Sequence, residues 1–181
     1  LFQRLRGRKQ LGVNFLVFPG AVHTRFEHTV GVLGLTRRFC EIYGVDSATR
    51  HLLGAYALLH DIGHGPFSHQ IEPVLRGSHK QQGLRCLDRM TDALAACDLT
   101  ADGMAALFAG NHPLAALVHD RNLGTDKLDY LRRDALHIGF GGTPEIEKVA
   151  LYSTVEDGVW SIEEKFIEDV KRIQKFYSYL H

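Results

Sequence analysis

Apolar positions recur at three- and four-residue spacing along most of the chain, so helices dominate the reading. Residues 24–43 fit a first helix: Val30, Leu33, Phe39 and Ile42 fall on one face, Thr24 and Glu27 form a T-x-x-E capping box, and Gly44 suits a left-handed stop. Ser47 can cap a second helix running to His60, with Leu52, Leu53, Tyr56 and Leu59 inward. A short third helix is predicted over 68–75, and a fourth over 80–97, where Leu84, Leu87 and Leu94 repeat. The Ala-rich stretch 101–120 reads as two pieces broken near Gly110 and Pro113. Residues 126–138 read as another helix, carrying Leu128, Leu131, Ala135 and Ile138 and ended by Gly139. Two stretches depart from this period. Residues 1–22 look extended or irregular, with one short strand, and 149–160 alternate around Asp157-Gly158 as a hairpin does. Ser161 and Glu164 make a second capping box before a last helix striped by Ile162, Phe166, Val170, Ile173, Tyr177 and Leu180.

The pattern therefore predicts a mainly α fold with one small hairpin, in a single domain over 1–181. The final helix, 161–181, is expected to pack on this domain, on a second copy or on further sequence. The chain does not begin with Met, which allows a fragment of a longer protein.

Composition narrows the class. Apolar residues make up 45% and charged residues 23%, as in a globular protein that folds in water. The 21 Lys+Arg balance 21 Asp+Glu, so no global field favours nucleic acid or an acidic membrane, although Arg4, Arg6, Arg8 and Lys9 allow a local basic patch. Cys40, Cys86 and Cys97 are scattered and odd in number, which predicts a reducing, cytoplasmic setting without a disulfide framework. No apolar run or leader pattern predicts a membrane span or export. The anomaly is histidine: 11 in all, seven of them from His23 to His79.

That cluster carries the candidate chemistry. The apolar run Leu52–Leu59 ends in His60-Asp61, followed by Gly63-His64-Gly65-Pro66. Adjacent helical residues point about 100° apart, so both can ligate one ion only where the helix stops. The glycines and Pro66 supply that stop. His28, in the first turns of the first helix, is the best third donor, and Asp126, opening Asp126-Lys127-Leu128-Asp129-Tyr130, the natural acidic fourth. Mixed imidazole and carboxylate donors suit Mn, Fe, Mg, Zn or Ni. His69 and Glu72, three apart, share a helix face on which the carboxylate can orient the imidazole as a general acid. A plain surface pair is the alternative. Arg132 and Arg133 read as partners of nearby acids, Trp160 as core, and His112, His119 and His137 as structural.

These motifs occur together and in order: Gln10-Leu11-Gly12, His23-x-Arg25-Phe26-Glu27-His28-Thr29, His60-Asp61-x-Gly63-His64-Gly65-Pro66-Phe67-Ser68-His69-x-x-Glu72, and Asp126-Lys127-Leu128-Asp129-Tyr130-x-x-Arg133-Asp134. Over about residues 1–140 the chain resembles the HD-domain phosphohydrolases, and among them the deoxynucleoside triphosphate triphosphohydrolase (dGTPase-like) branch. The resemblance implies an HD-domain helical bundle around a metal site, with His28, His60, Asp61 and Asp126 as ligands of a divalent ion such as manganese. It implies that His64, His69, Glu72 and His79 line the reacting phosphate, and that Gln10, Leu11, Arg25, Lys127, Tyr130 and Asp134 contact the nucleotide. The implied reaction is hydrolysis of a dNTP to deoxynucleoside and triphosphate. Another nucleotidase, pyrophosphatase or phosphodiesterase of the superfamily, or a nucleotide-binding regulatory module with little turnover, are the alternatives. A homo-oligomer is expected from both the family and the last apolar stripe. Asp61 and Asp126 stand 65 positions apart, closer than that branch's usual spacing, so either the intervening helices are reduced or loops of the branch are missing from this sequence.

Overall fold

The computed structural model describes residues 1–67, 71, 73, 74, 77–141 and 145–180. Two long helices set the frame. Helix α1, Arg25–Ile42, starts at the predicted capping box: the Thr24 side chain accepts from the Glu27 N–H, and the Glu27 carboxylate accepts from the Thr24 N–H. Helix α2, Ser47–Leu59, is capped one residue earlier than expected, by Asp46, whose Oδ1 accepts from the Ala48 and Thr49 N–H groups at 3.0 Å each. A carboxylate can serve two orphan donors and suits the helix dipole, which the Ser47 hydroxyl does less well.

The remaining helices are α3 (His79–Asp88), α4 (Thr91–Ala95), α5 (Ala101–Ala109), α6 (Ala115–Val118), α7 (Thr125–Ile138), α8 (Ile146–Leu151) and α9 (Ile167–Leu180). Strands β1 (Ser153–Glu156) and β2 (Val159–Ile162) pair antiparallel, Val155 opposite Trp160, around Asp157 and Gly158, which both take positive φ as this hairpin turn requires. Helix α1 packs against both α2 and α7, and α9 lies on α7. The core between them holds Val32, Phe39, Leu53, Tyr56, Leu59, Leu128 and Leu131.

Several expectations change in detail. Residues 1–22 form two 3-10 turns, Phe2–Gly7 and Gly12–Leu16, with one isolated β-bridge between Lys9 and Thr24 and no strand. The predicted helix 80–97 breaks after Asp88 into α3 and α4; Leu84 is on its exposed side while Leu87 and Leu94 are buried. Residues 146–151 are helical because Ile146, Val149 and Ala150 bury one face, so the hairpin is shorter than predicted. Ser161 lies in β2, and a 3-10 turn at Glu164–Phe166 leads into α9, so the second capping box does not form. Val30 is exposed, and Val32 takes the core position. The predicted helix 68–75 falls mostly outside the described residues.

Three of the amino-terminal basic residues, Arg4, Arg6 and Lys9, are committed within the fold. Arg4 donates to the carbonyls of Ile62 and His64, bracing the turn after α2. The Arg6 guanidinium stacks 3.6 Å over the Phe26 ring, and Lys9 donates to the Val22 carbonyl at 2.9 Å.

Candidate metal centre and cleft

Four predicted donors meet where α1, the end of α2 and the start of α7 converge. His28, His60 and Asp126 offer ligand atoms all within 4.8 Å of one another. His28 Nε2 lies 3.1 Å from Asp126 Oδ1, and His60 Nε2 lies 3.6 Å from the same oxygen. Asp61 completes the group, with Oδ2 3.8 Å from His28 Nε2 and Oδ1 3.6 Å from His60 Nε2. The helix does stop where both members of the His-Asp pair need it: His60 is the C-cap of α2, and Asp61 lies in the turn.

The two imidazoles are held from behind. His60 Nδ1 donates to the Ala57 carbonyl at 2.8 Å, which leaves the Nε2 lone pair facing the cluster. That Nε2 is buried with no hydrogen-bond partner. A buried polar atom in that state is costly unless something coordinates it. His28 Nδ1 meets Asp129 Oδ2 at 2.8 Å, and Arg133 grips both Asp129 oxygens at 2.8 Å. Imidazole donors backed by a carbonyl and a carboxylate, beside the carboxylates of Asp61 and Asp126, fit a divalent cation.

Electrostatics follow from the crowding. Burial lowers the His28 pKa, but its bonds to Asp126 and Asp129 outweigh this and push it up to about 10. Burial raises Asp61, yet Arg25, with His60 and His64, holds it well below the usual carboxylate range. Asp126 is likewise raised by burial and held far down by His60, His119 and His28. Burial pushes His64 down to about 4 against the pull of Asp61.

Above the donors lies a cleft of about 290 Å³. Gln10, Leu11, Arg25, His64, His79, Tyr130 and Asp134 all line it. Arg25 bonds Asp61 at 2.5 Å, His64 lies 3.3 Å from the other Asp61 oxygen, and the His79 ring stacks on His64 at 4.2 Å. Asp134 is held by the buried His23 at 2.6 Å rather than by an arginine. Lys127 is not on the cleft wall: its ammonium bonds the Arg121 carbonyl and lies 4.5 Å above the Tyr177 ring. His69 and Glu72 lie outside the described residues.

Two participants were missed. His119, read as structural, lines the cleft and holds Asp126 Oδ2 at 2.9 Å. It sits in a loop, where spacing carries no facing information. Asp129, which backs His28, had a signal: it is four residues before Arg133 on α7, the spacing of a helical ion pair. Arg132 and Arg133 do pair with acids, Glu147 and Asp129. Trp160 is half-buried, its indole donating to the Ala116 carbonyl.

The helices thus bring two histidines and two aspartates together under a polar cleft, a donor set that fits a divalent cation. The HD domain family model matches residues 25–107. Protein YwfO of Bacillus subtilis is 36% identical over 150 residues, covering 76% of this chain and 34% of its own length. A SAMHD1 homolog of Dictyostelium discoideum, described as a deoxynucleoside triphosphate triphosphohydrolase, is 30% identical over 86% of this chain and 35% of itself. The crystal structure of a phosphohydrolase from Bacteroides thetaiotaomicron superposes with TM-score 0.86 at 30% identity, over 99% of this chain and 48% of that one. The chain thus spans about a third of these curated relatives and about half of the solved one. The chain therefore carries an HD domain in the HD-domain phosphohydrolase fold, and it resembles the deoxynucleoside triphosphate triphosphohydrolase branch. No helix among the described residues is long and apolar enough to cross a membrane.

Proposed function

We propose that this chain hydrolyses a deoxynucleoside triphosphate to deoxynucleoside and triphosphate. The observation that carries the reading is the convergence of His28, His60, Asp61 and Asp126 at the floor of a cleft walled by Gln10, Leu11, Arg25, Tyr130 and Asp134. Those four residues would hold a divalent cation, which when bound neutralises phosphoryl charge and acidifies water. Arg25, fixed by Asp61, presents a guanidinium fork to a phosphate oxygen. Burial keeps His64 neutral, so it reaches a phosphate as a hydrogen-bonding group rather than a cation. The Tyr130 phenol, pushed up by burial with Asp126 close by, stays protonated and can donate to substrate. Water adds to the α-phosphorus, the bond to the sugar 5′-oxygen breaks, and that oxygen takes a proton. His69, oriented by Glu72, is the proposed donor of that proton. The substrate is a dNTP, the setting cytoplasmic and the working form a homo-oligomer in this reading.

One observation favours a second reading. Lys127, the cation that the resemblance assigns to phosphate, is engaged with Arg121 and Tyr177 and is off the cleft wall. That suits a substrate with fewer phosphates, in a nucleotidase, pyrophosphatase or phosphodiesterase of the same family. Product analysis decides: the metal-loaded chain is incubated with a dNTP panel and phosphate, pyrophosphate and triphosphate are separated. Intact triphosphate supports the first reading, and shorter products support the second. Tight nucleotide binding without turnover, with every metal tried, overturns both and points to a regulatory module.

A further inference from the structure

The cleft does not end at His119. A second chamber of about 240 Å³ adjoins it, and the two share Tyr56, Lys80, Phe108 and His119 as walls. Gln10, Leu11, Arg25 and Asp134, four of the residues proposed to contact the nucleotide, line only the first. The donor cluster therefore has two sides, one lined by those groups and one opening past His119.

The far chamber has the chemistry of an anion site. Lys80 and Arg121 bring two cations to it. His112 Nδ1 accepts from the Leu114 N–H at 3.1 Å, so its ring proton sits on Nε2 and makes that nitrogen a donor. The one carboxylate among the described wall residues, Asp120, is engaged: its Oδ1 accepts from the Asn122 and Leu123 N–H groups, both at 2.8 Å. Lys127 sits against the same loop, on the Arg121 carbonyl, and adds positive potential without entering the cleft.

We infer that this second chamber receives the distal phosphates of the substrate, with Lys80 and Arg121 as their cationic contacts. The inference rests on the triphosphohydrolase reading for its substrate but on the chamber alone for its chemistry. It places phosphate-chain length under the control of residues outside the metal centre.

The test compares the full chain with the Lys80→Ala, Arg121→Ala double variant and with Lys171→Ala, which removes an exposed cation on α9. Binding of inorganic tripolyphosphate is measured by calorimetry, and KM is measured for dATP. The double variant is expected to weaken tripolyphosphate binding and raise the dATP KM by roughly tenfold or more, as loss of charge-assisted contacts does. Binding of deoxyadenosine should not change. Equal tripolyphosphate affinity in the double variant and the parent overturns the inference. So does an equal loss in Lys171→Ala, which makes the effect one of general charge, or an equal loss for deoxyadenosine. If the parent releases no triphosphate while the double variant still loses tripolyphosphate binding, the chamber stands and the triphosphohydrolase reading falls. If the parent releases triphosphate and the double variant keeps its KM and affinity, the chamber alone falls.

Discussion

Two glycines on α1 should respond to the same substitution with opposite sign. In a helix interior, Gly→Ala ordinarily stabilises by about 0.5–1 kcal/mol, because alanine has less backbone freedom to lose. Gly34 has nothing within 4 Å of the space a Cβ would take, so Gly34→Ala should show that gain. Gly31 faces α7. A Cβ there would lie 1.9 Å from Asp129 Oδ1 and 2.2 Å from Arg133 Nη2. The methyl and the ion pair cannot share the space, and moving Asp129 removes it from both His28 and Arg133. Loss of these two charged partners, each counted once at about 1.5–3 kcal/mol, less the helix gain, leaves a net destabilisation of roughly 2–5 kcal/mol. Metal affinity should fall about 10–100-fold as His28 loses its orienting carboxylate. Urea unfolding of both variants, with metal titration by calorimetry, reads each quantity. A Gly31→Ala chain at least as stable as the parent, with unchanged metal affinity, would refute the claim that the α1–α7 contact tunes the site.

His119→Ala should weaken metal binding by about 10–100-fold by freeing the Asp126 carboxylate, and His119→Asn, which keeps a donor, should recover most of it; equal losses in both would deny the orienting role. His60→Ala and Asp61→Ala should each abolish metal binding, and full metal stoichiometry in both would remove the site assignment. His69→Ala should retain metal and lower turnover by roughly 10²–10⁴-fold, a split seen by metal analysis alongside initial rates. Chelation should lower the unfolding midpoint, since metal at about 100 times its Kd adds roughly 2.7 kcal/mol of stability; a midpoint indifferent to chelator and metal would mean that no ion binds the native state preferentially.

Much of this was legible in residue order. The capping box at Thr24 and Glu27 is visible as a spacing and places His28 in the first turns of α1. Gly63 and Gly65 mark the stop that lets His60 and Asp61 serve one centre. What was hidden has physical reasons. His119 reaches Asp126 across a loop, and loops have no period to read. The alternation at 149–151 suits a strand as well as a helix, and only burial of Ile146, Val149 and Ala150 on one side decides it. Asp46 outranks Ser47 as a cap because a carboxylate serves two N–H groups, a choice that pattern alone leaves open. Lys127 has its expected place on α7, but its long side chain swings to a carbonyl and a ring.

The bond between His28 and Asp126 spans 98 positions. While the chain is being made, α1 and α2 emerge with three of the four donors, and no ion can be closed in until α7 has left the ribosome and docked. Long-range closure of this kind comes late in folding. On the proposed ligand set the centre would act as a completion signal: a chain that bound metal would already have joined α1 to a helix made about a hundred residues later. On the proposed function, reactive capacity would be withheld until α7 has docked, with no inhibitor needed to withhold it.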